Sequence, residues 1–98
     1  MAKMENRPPL FDGKNFSYWK SRMGAYLDAL GPDVWNATKT GYTGALTPEQ
    51  QKWNAKARNA IIECISEDVF ARIDNIDLAH DMWLQLIQLH EGSSKVRE

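Results

Sequence analysis

The chain has 98 residues, enough for one compact domain and too few for two. Twelve lysines and arginines against thirteen aspartates and glutamates leave a formal net charge of −1, which argues against nucleic-acid binding by this domain alone. No apolar stretch approaches the roughly 20 residues that cross a bilayer, and a single cysteine excludes a disulfide framework or a cysteine-rich zinc site. These features predict a cytoplasmic or nuclear globular domain.

The N-terminal residues predict a tail followed by an extended arm. Pro8 and Pro9 force extended backbone, so we expect a flexible tail over residues 1–8 and a folded domain from Pro9 onwards. Leu10 and Phe11 then have two possible roles. We favour a structural role, in which they cover one end of the domain. A functional role is compatible with it, in which they belong to an arm that docks on a neighbouring chain or borders a groove for a peptide.

The next segment predicts two successive helices. Apolar residues recur at spacings of three and four over residues 15–30, which is typical of an amphipathic helix. They are Phe16, Trp19, Met23, Tyr26, Leu27 and Leu30. Gly24 inside this helix costs about 1 kcal/mol relative to alanine, unless another helix approaches closely there. A glycine–proline pair then predicts a second helix over residues 32–39, whose Trp35 faces the core.

A loop over residues 39–46 precedes the clearest helix start in the chain. Thr47 and Gln50 have the spacing of a capping box, and Pro48 suits the first helical position. The third helix should therefore begin here and end near Ile65. Its apolar face consists of Trp53, Ala57, Ala60, Ile61 and Cys64.

Two further capping residues predict two more helices. Ser66 precedes acidic residues that suit the positive first turn of a short fourth helix. Asp77 can cap a fifth helix, which has a broad apolar stripe. No segment shows the alternation of a strand. The sequence thus predicts an all-α bundle of about five helices with a short extended N-terminal arm, over residues 9–92. Residues 93–98 should be a frayed end or the start of a further lobe.

The apolar faces of these helices define an aromatic-rich core. We expect it to contain Phe11, Phe16, Trp19, Met23, Leu27, Trp35, Trp53, Ile61, Phe70, Met82, Trp83 and Leu86. Four tryptophans are more than a chain of this length ordinarily carries, and one per helix is best explained by core filling. A platform for stacking nucleic-acid bases would instead interleave them with lysine and arginine on an exposed surface.

No motif in the sequence favours catalysis. His80 and His90 are ten residues apart, which is not a chelating spacing. Cys64 lies on an apolar helix face and is expected to be a buried structural thiol. The acidic pairs stand at predicted helix starts, where capping explains them. We therefore expect no catalytic residue, metal, cofactor or small-molecule substrate.

Five spaced segments nevertheless follow a recognisable order. Residues 9–20, PLFDGKNFSYWK, contain the pattern F-x-G-x-N-[FY]-x-x-W. GYT at residues 41–43 and WNAKA at residues 53–57 correspond to a linker and a third helix. AHDMWLQL at residues 79–86 matches A-[KH]-[ED]-x-W-x-x-L, and HEGSSKV at residues 90–96 matches H-E-G-[ST]-x-x-V. In this order, and over nearly the whole chain, the motifs resemble the Gag polyproteins of copia-type LTR retrotransposons.

The resemblance implies the N-terminal lobe of a capsid, an α-helical unit that packs side by side in a virus-like particle. It also implies that Phe11 and Phe16 flank a tight turn at Gly13 and pack with Trp19, which fixes the arm against the first helix. The family continues into a second helical lobe and commonly a CCHC zinc knuckle, and these 98 residues contain neither. We therefore expect either a fragment of a Gag chain or a domesticated host protein that kept the first lobe.

The predicted partners follow from the resemblance and from the exposed helix faces. We expect self-association or contact with other Gag-like chains, through Arg22, Tyr26, Asp33 and Asn36 on the first two helices. The alternative is a peptide-binding adaptor, with its groove between the arm and the first helix. A helix-turn-helix nucleic-acid binder is a third hypothesis that the net charge disfavours, and no membrane partner is expected.

Overall fold

The computed structural model describes residues 7–92, and within that range it contains five α-helices. In chain order they are α1 (Phe16–Leu30), α2 (Pro32–Lys39), α3 (Pro48–Glu63), α4 (Glu67–Phe70) and α5 (Ala79–Ile87). A wider π-helical turn, Gln88–Gly92, extends α5. No strand occurs in this part of the chain, where the β pairing is an isolated parallel bridge. The predicted all-α class is therefore confirmed.

The arm begins to pack earlier than the sequence predicts. Residues 1–8 are predicted to form a flexible tail, but Pro8 is buried. Arg7 also contacts the end of α3, where its Nη1 lies 3.4 Å from Glu63 Oε1. The rest of the predicted tail, residues 1–6, and the predicted frayed end, residues 93–98, lie outside the described residues.

Two of the predicted caps form as the sequence indicates. Thr47 Oγ1 accepts a hydrogen bond from Gln50 N at 3.1 Å, and Gln50 Oε1 accepts one from Thr47 N at 3.0 Å. Ser66 Oγ accepts a hydrogen bond from Val69 N at 3.3 Å at the start of α4. Both are local interactions between residues three apart, which a sequence pattern can specify.

Gly24 is explained by the close approach of α2. A Cβ atom added at Gly24 would lie 3.2 Å from Cη2 of the Trp35 indole and 3.5 Å from Cζ2. A side chain at this point would force Trp35 to shift by a few tenths of an ångström, so the glycine favours this close approach. The loss of helix propensity at Gly24 is therefore offset by the close packing of Trp35 against α1.

Nine of the twelve predicted core residues are buried. They are Phe11, Phe16, Trp19, Met23, Leu27, Ile61, Met82, Trp83 and Leu86. The same cluster also contains Val34, Ala57, Ala60, Cys64, Ile65, Val69, Ile73 and Ala79. The arm, all five helices and the segment after α4 thus share one core.

Three core predictions need correction. Trp35 and Phe70 are only half-buried and pack against the core from its edge. Trp53 is also half-buried and does not join the core cluster. It lies on the correct helix face, but the buried residues of α3 begin one turn later at Ala57, so Trp53 stands beyond the edge of the packed region.

The sequence predicts that Asp77 caps α5, but a residue from α3 fixes the start of this helix instead. The residue at the N-cap position is Leu78, which supplies no side-chain hydrogen bond. Asn54 replaces that cap from a distance, because its Oδ1 accepts from Ala79 N at 2.7 Å and its Nδ2 donates to Asp77 O at 3.0 Å. Asn54 thereby connects α3 to the beginning of α5.

We predict that Asn54→Ala lowers the free energy of unfolding by about 1–2 kcal/mol, because the variant loses a helix cap and leaves Asp77 O without its donor. Urea denaturation of the two proteins measures the difference. Asn59→Ala is the matched control on the same helix, since Asn59 bonds only the exposed Glu63 side chain and should cost less than about 0.5 kcal/mol. Equal losses in the two variants would contradict this role for Asn54.

Candidate functional site

Three aromatic residues of the arm and α1, with one histidine from the other end of the domain, form what we call the aromatic cluster. The Phe11 ring stacks on Trp19 with centroids 5.1 Å apart, and the Phe11 and Phe16 centroids are 5.3 Å apart. His90, in the π-helical turn, lies 4.8 Å from Phe11 edge-to-face and 5.4 Å from Phe16. Aromatic pairs at such distances add to the stability gained from burial alone.

A tight turn brings Phe11 and Phe16 together. Gly13 has φ 106° and Asn15 has φ 58°, so two residues in the left-handed region reverse the chain between the two rings. Glycine adopts this conformation without strain, and asparagine tolerates it better than most residues. Lys14 N donates to Asp12 Oδ1 at 3.2 Å and braces the turn.

Backbone hydrogen bonds hold the arm against the link between α3 and α4. Phe11 N donates to Cys64 O at 2.8 Å, and Ser66 N donates to Phe11 O at 2.9 Å, which forms the parallel bridge between Phe11 and Ile65. Trp19 Nε1 donates to the same Cys64 carbonyl at 3.2 Å. Burial raises the pKa of the Cys64 thiol to about 11, so this thiol stays protonated at neutral pH.

The π-helical turn packs against the aromatic cluster through His90, and Glu91 of the same turn forms an ion pair with α1. The Nε2 atom of His90 is buried and has no hydrogen-bond partner among the described residues. Burial, and secondly the positive charge of Arg72, lowers the pKa of His90, so its neutral form is favoured against the two phenyl rings. Lys20 Nζ pairs with Glu91 Oε2 at 2.9 Å beside it and ties α1 to the turn.

The outer side of the arm is apolar and exposed. Leu10 is 60% exposed and Tyr18 is 56% exposed, and the two side chains line a groove of about 270 Å³ between the arm and α1. We call it the arm groove; Phe11 and Trp19 also line it, and both are buried. The expectation that Leu10 covers the end of the bundle is therefore wrong, whereas Phe11 does enter the core.

One of the four predicted interface residues contacts a wall of this groove, and a second lies next to it on α1. Arg22 Nη1 donates to the Tyr18 hydroxyl at 2.9 Å, and its guanidinium lies 5.8 Å from the Tyr18 ring centroid. Arg22 and Tyr26 in turn line a shallow depression of about 270 Å³ with Ala25 and Ala29. We call the combined area the outer face of α1, defined by Leu10, Tyr18, Arg22, Ala25, Tyr26 and Ala29.

The other two predicted interface residues lie elsewhere. Asp33 and Asn36 are exposed on α2, and neither lines the arm groove or the depression beside Tyr26. Asp33 lies near Tyr42, whose pKa is raised by burial and, to a smaller extent, by this carboxylate. The four residues therefore do not form one surface, and the outer face of α1 contains only the first two.

Sequence reasoning missed Tyr18 as a surface residue of interest. Tyr18 lies off the apolar stripe of α1, and an aromatic residue on the polar side of an amphipathic helix is the signal that identifies it. Leu84 on α5 is the remaining large apolar side chain with high exposure among the described residues, at 48%. It does not line the arm groove and serves below as a control.

The titratable residues of the described chain are not arranged for metal binding. Within residues 7–92, no group of three or more histidine, cysteine, aspartate or glutamate side chains is placed to hold an ion. His80 Nδ1 lies 2.9 Å from the Thr38 carbonyl oxygen, and since a carbonyl can only accept, Nδ1 carries the proton. His80 thus fastens α5 to the end of α2.

Comparisons with known proteins do not assign the chain to a family. No family model matches the sequence, and searches of curated proteins and of solved structures find no significant match. None of the helices formed by residues 7–92 combines the length and apolar character needed to cross a bilayer.

We predict that acidification destabilises the domain through His90. Since burial lowers its pKa in the fold, the unfolded chain takes up this proton at a higher pH than the folded chain. The contribution is therefore fully present above the ordinary histidine pKa of about 6.5 and is lost as the pH falls through the folded-state value. Urea denaturation between about pH 8 and about pH 5 measures the loss.

Two variants separate His90 from the other groups that titrate in this interval. His90→Gln should remove this part of the pH dependence, whereas His80→Gln should retain it because His90 is still present. The same pH dependence in wild type and His90→Gln would contradict the assignment.

Proposed function

We propose that the domain is a non-enzymatic protein-interaction module that resembles the capsid N-terminal lobe of copia-type Gag, and that it contributes to assembly of a virus-like particle or to a domesticated derivative of that role. The observation that carries the proposal is the exposed, apolar outer face of α1, which is held rigidly by the aromatic cluster beneath it. We propose a second copy of the chain as its partner.

The contact between the first and last motifs supports the proposed resemblance to copia-type Gag. Phe11, Phe16 and Trp19 belong to the F-x-G-x-N-[FY]-x-x-W motif, and His90 begins the H-E-G motif about seventy residues later. The centroids of Phe11 and His90 are 4.8 Å apart. Motifs that are remote in sequence but join in one cluster have a shared physical role, which here is to anchor the arm.

The exposure of Leu10 and Tyr18 supports an interface at this place. Contiguous exposed apolar side chains are a common mark of protein contact sites. The arm that carries Leu10 is fixed by the two backbone hydrogen bonds of Phe11. A partner would therefore bind a preorganised surface and lose little conformational entropy in doing so.

Small side chains and a near-zero net charge favour a second copy as the occupant. Ala25 and Ala29 line the depression next to Tyr26, so a helix of another copy could approach α1 closely. A formal net charge of −1 produces little repulsion between copies. The surface is small, so the expected contact is weak for one pair and becomes stable when many copies assemble.

A peptide is the second candidate partner, and the shape of the arm groove favours it. The groove has a proline wall at Pro9 and an aromatic wall at Tyr18, and extended proline-containing peptides dock on surfaces of this kind. Against it, Phe11 and Trp19 are already buried in the core, so the groove has a filled floor and little depth.

We predict that the double variant Leu10→Ser, Tyr18→Ser weakens self-association by about tenfold or more, because burial of these two side chains should supply well over 1.4 kcal/mol. Analytical ultracentrifugation of rising concentrations, up to about 1 mM, measures the association constant. Leu84→Ser is the matched control, because it removes an exposed leucine elsewhere. A wild type that remains monomeric throughout, or an equal effect of Leu84→Ser, would overturn the proposed interface.

We predict for the peptide alternative that a pool of proline- and aromatic-containing peptides shifts the amide NMR signals of Leu10, Lys14 and Tyr18 together and saturably. The Tyr18→Ser variant should lose these shifts, and Leu84→Ser should keep them. Scattered or non-saturable shifts in the wild type would eliminate the adaptor hypothesis and leave the groove as the surface of the core.

A further inference from the structure

A further concave site lies where α1 meets α2 and α5. It has a volume of about 380 Å³, and its walls include the indoles of Trp35 and Trp83. The two ring centroids are 5.6 Å apart and the planes are nearly perpendicular, at 88°. Lys20, Gly24 and Asp28 contribute the α1 side, so we define this tryptophan pocket by these five residues.

The pocket stays open because α1 has a glycine at its centre. A Cβ at Gly24 would lie 3.2 Å from Cη2 of Trp35 and would crowd the indole. Trp83 is almost fully buried, but Trp35 is only half-buried. A small domain gains stability by burying its largest aromatic side chains, so a tryptophan left partly exposed in a concave site indicates a surface available for a ligand.

The charges around the tryptophan pocket leave one carboxylate uncompensated. Lys20 Nζ is paired with Glu91 Oε2 at 2.9 Å, so the positive charge at one end is neutralised. Asp28, two turns further along α1, is exposed, and its carboxylate makes no hydrogen bond or ion pair with any residue in the described part of the chain. The pocket therefore offers the partly exposed Trp35 indole and an unpaired negative charge.

The Trp35 indole already attracts a cation within the domain. Lys39 Nζ lies 5.5 Å from the centroid of this ring, within the distance at which a cation is attracted by the aromatic face. Lys39 does not line the pocket. A ligand that combined a cation with a flat apolar surface could interact with Trp35 and Asp28 at once.

We propose that the tryptophan pocket binds an arginine side chain of a partner protein. The planar guanidinium stacks on the Trp35 indole and donates two N–H groups to the Asp28 carboxylate. Arginine fits this combination better than lysine, because its guanidinium is flat, weakly hydrated and able to bind a carboxylate through two hydrogen bonds. This site shares no lining residue with the arm groove, although Ala25 lines both this site and the depression beside Tyr26. Arginine binding here does not require the self-association proposed above.

A capped tripeptide, acetyl-Gly-Arg-Gly-amide, is the probe, and its citrulline analogue is the neutral control of nearly the same shape. Titration is followed in ¹H–¹⁵N spectra through the amide signals of Gly24 and Asp28 and the indole N–H signals of Trp35 and Trp83. We expect saturable shifts of these four signals with the arginine peptide. The citrulline peptide should bind at least about tenfold more weakly than the arginine peptide, because a charge-assisted hydrogen bond is lost.

Two aspartate variants make the test specific to the pocket. Asp28→Asn should weaken binding of the arginine peptide by about tenfold or more. Asp33→Asn, an exposed aspartate outside the pocket, should leave it unchanged; thermal melts check that both variants fold. The proposal is overturned if the four signals do not move at about 20 mM peptide, if citrulline binds equally well, or if Asp28→Asn keeps the wild-type affinity.

Discussion

The anchoring of Phe11 by backbone hydrogen bonds and ring contacts is the interaction on which the rest of the structure depends. Its amide and carbonyl groups are both hydrogen-bonded to the link between α3 and α4, and its ring contacts Phe16, Trp19 and His90. One residue thus connects the arm, the first helix, the middle of the chain and the last turn. If Phe11 were not held, the arm groove would lose part of its floor and the neutral His90 would lose one of the two phenyl rings against which it packs.

The same anchoring explains why an apolar side chain is left in solvent. Neighbouring side chains of an extended backbone point to opposite sides. The backbone hydrogen bonds of Phe11 and its ring contacts fix that ring inward, whereas the neighbouring Leu10 is 60% exposed. Burying Leu10 would require either a kink in the arm or the loss of Phe11 from the core. Exposure of Leu10 is therefore a consequence of how the arm is anchored, and it creates a rigid apolar surface beside Tyr18.

The features that could be predicted from the sequence are those that depend on near neighbours. The capping box at Thr47, the cap at Ser66 and the apolar stripe of α1 are set by residues three or four positions apart, so a pattern reveals them. The cap supplied by Asn54 to Ala79 joins residues 25 positions apart, and no local pattern indicates it. Trp53 shows a different reason for failure, since periodicity identifies the correct helix face but does not say where along α3 the packing partners end. The candidate site contains features of both kinds. The packing of Phe11, Phe16 and Trp19 with one another is predicted from the first motif. The exposure of Leu10 and the position of His90 depend on tertiary packing and are not.

Helix α1 presents a different chemistry on each of its sides. Its apolar stripe enters the core, its outer face presents Tyr18 and Arg22 to solvent, and Gly24 allows Trp35 to form the tryptophan pocket on a further side. An α-helix can do this because its side chains project around the full circumference, so residues one position apart face different surroundings. Tyr18 and Trp19 illustrate the point, since the first is 56% exposed on the outer face while the second is buried in the core. The core stripe fixes the helix in place, and both outward surfaces inherit their rigidity from it. A substitution confined to an exposed outward residue should therefore alter one surface without loosening the other.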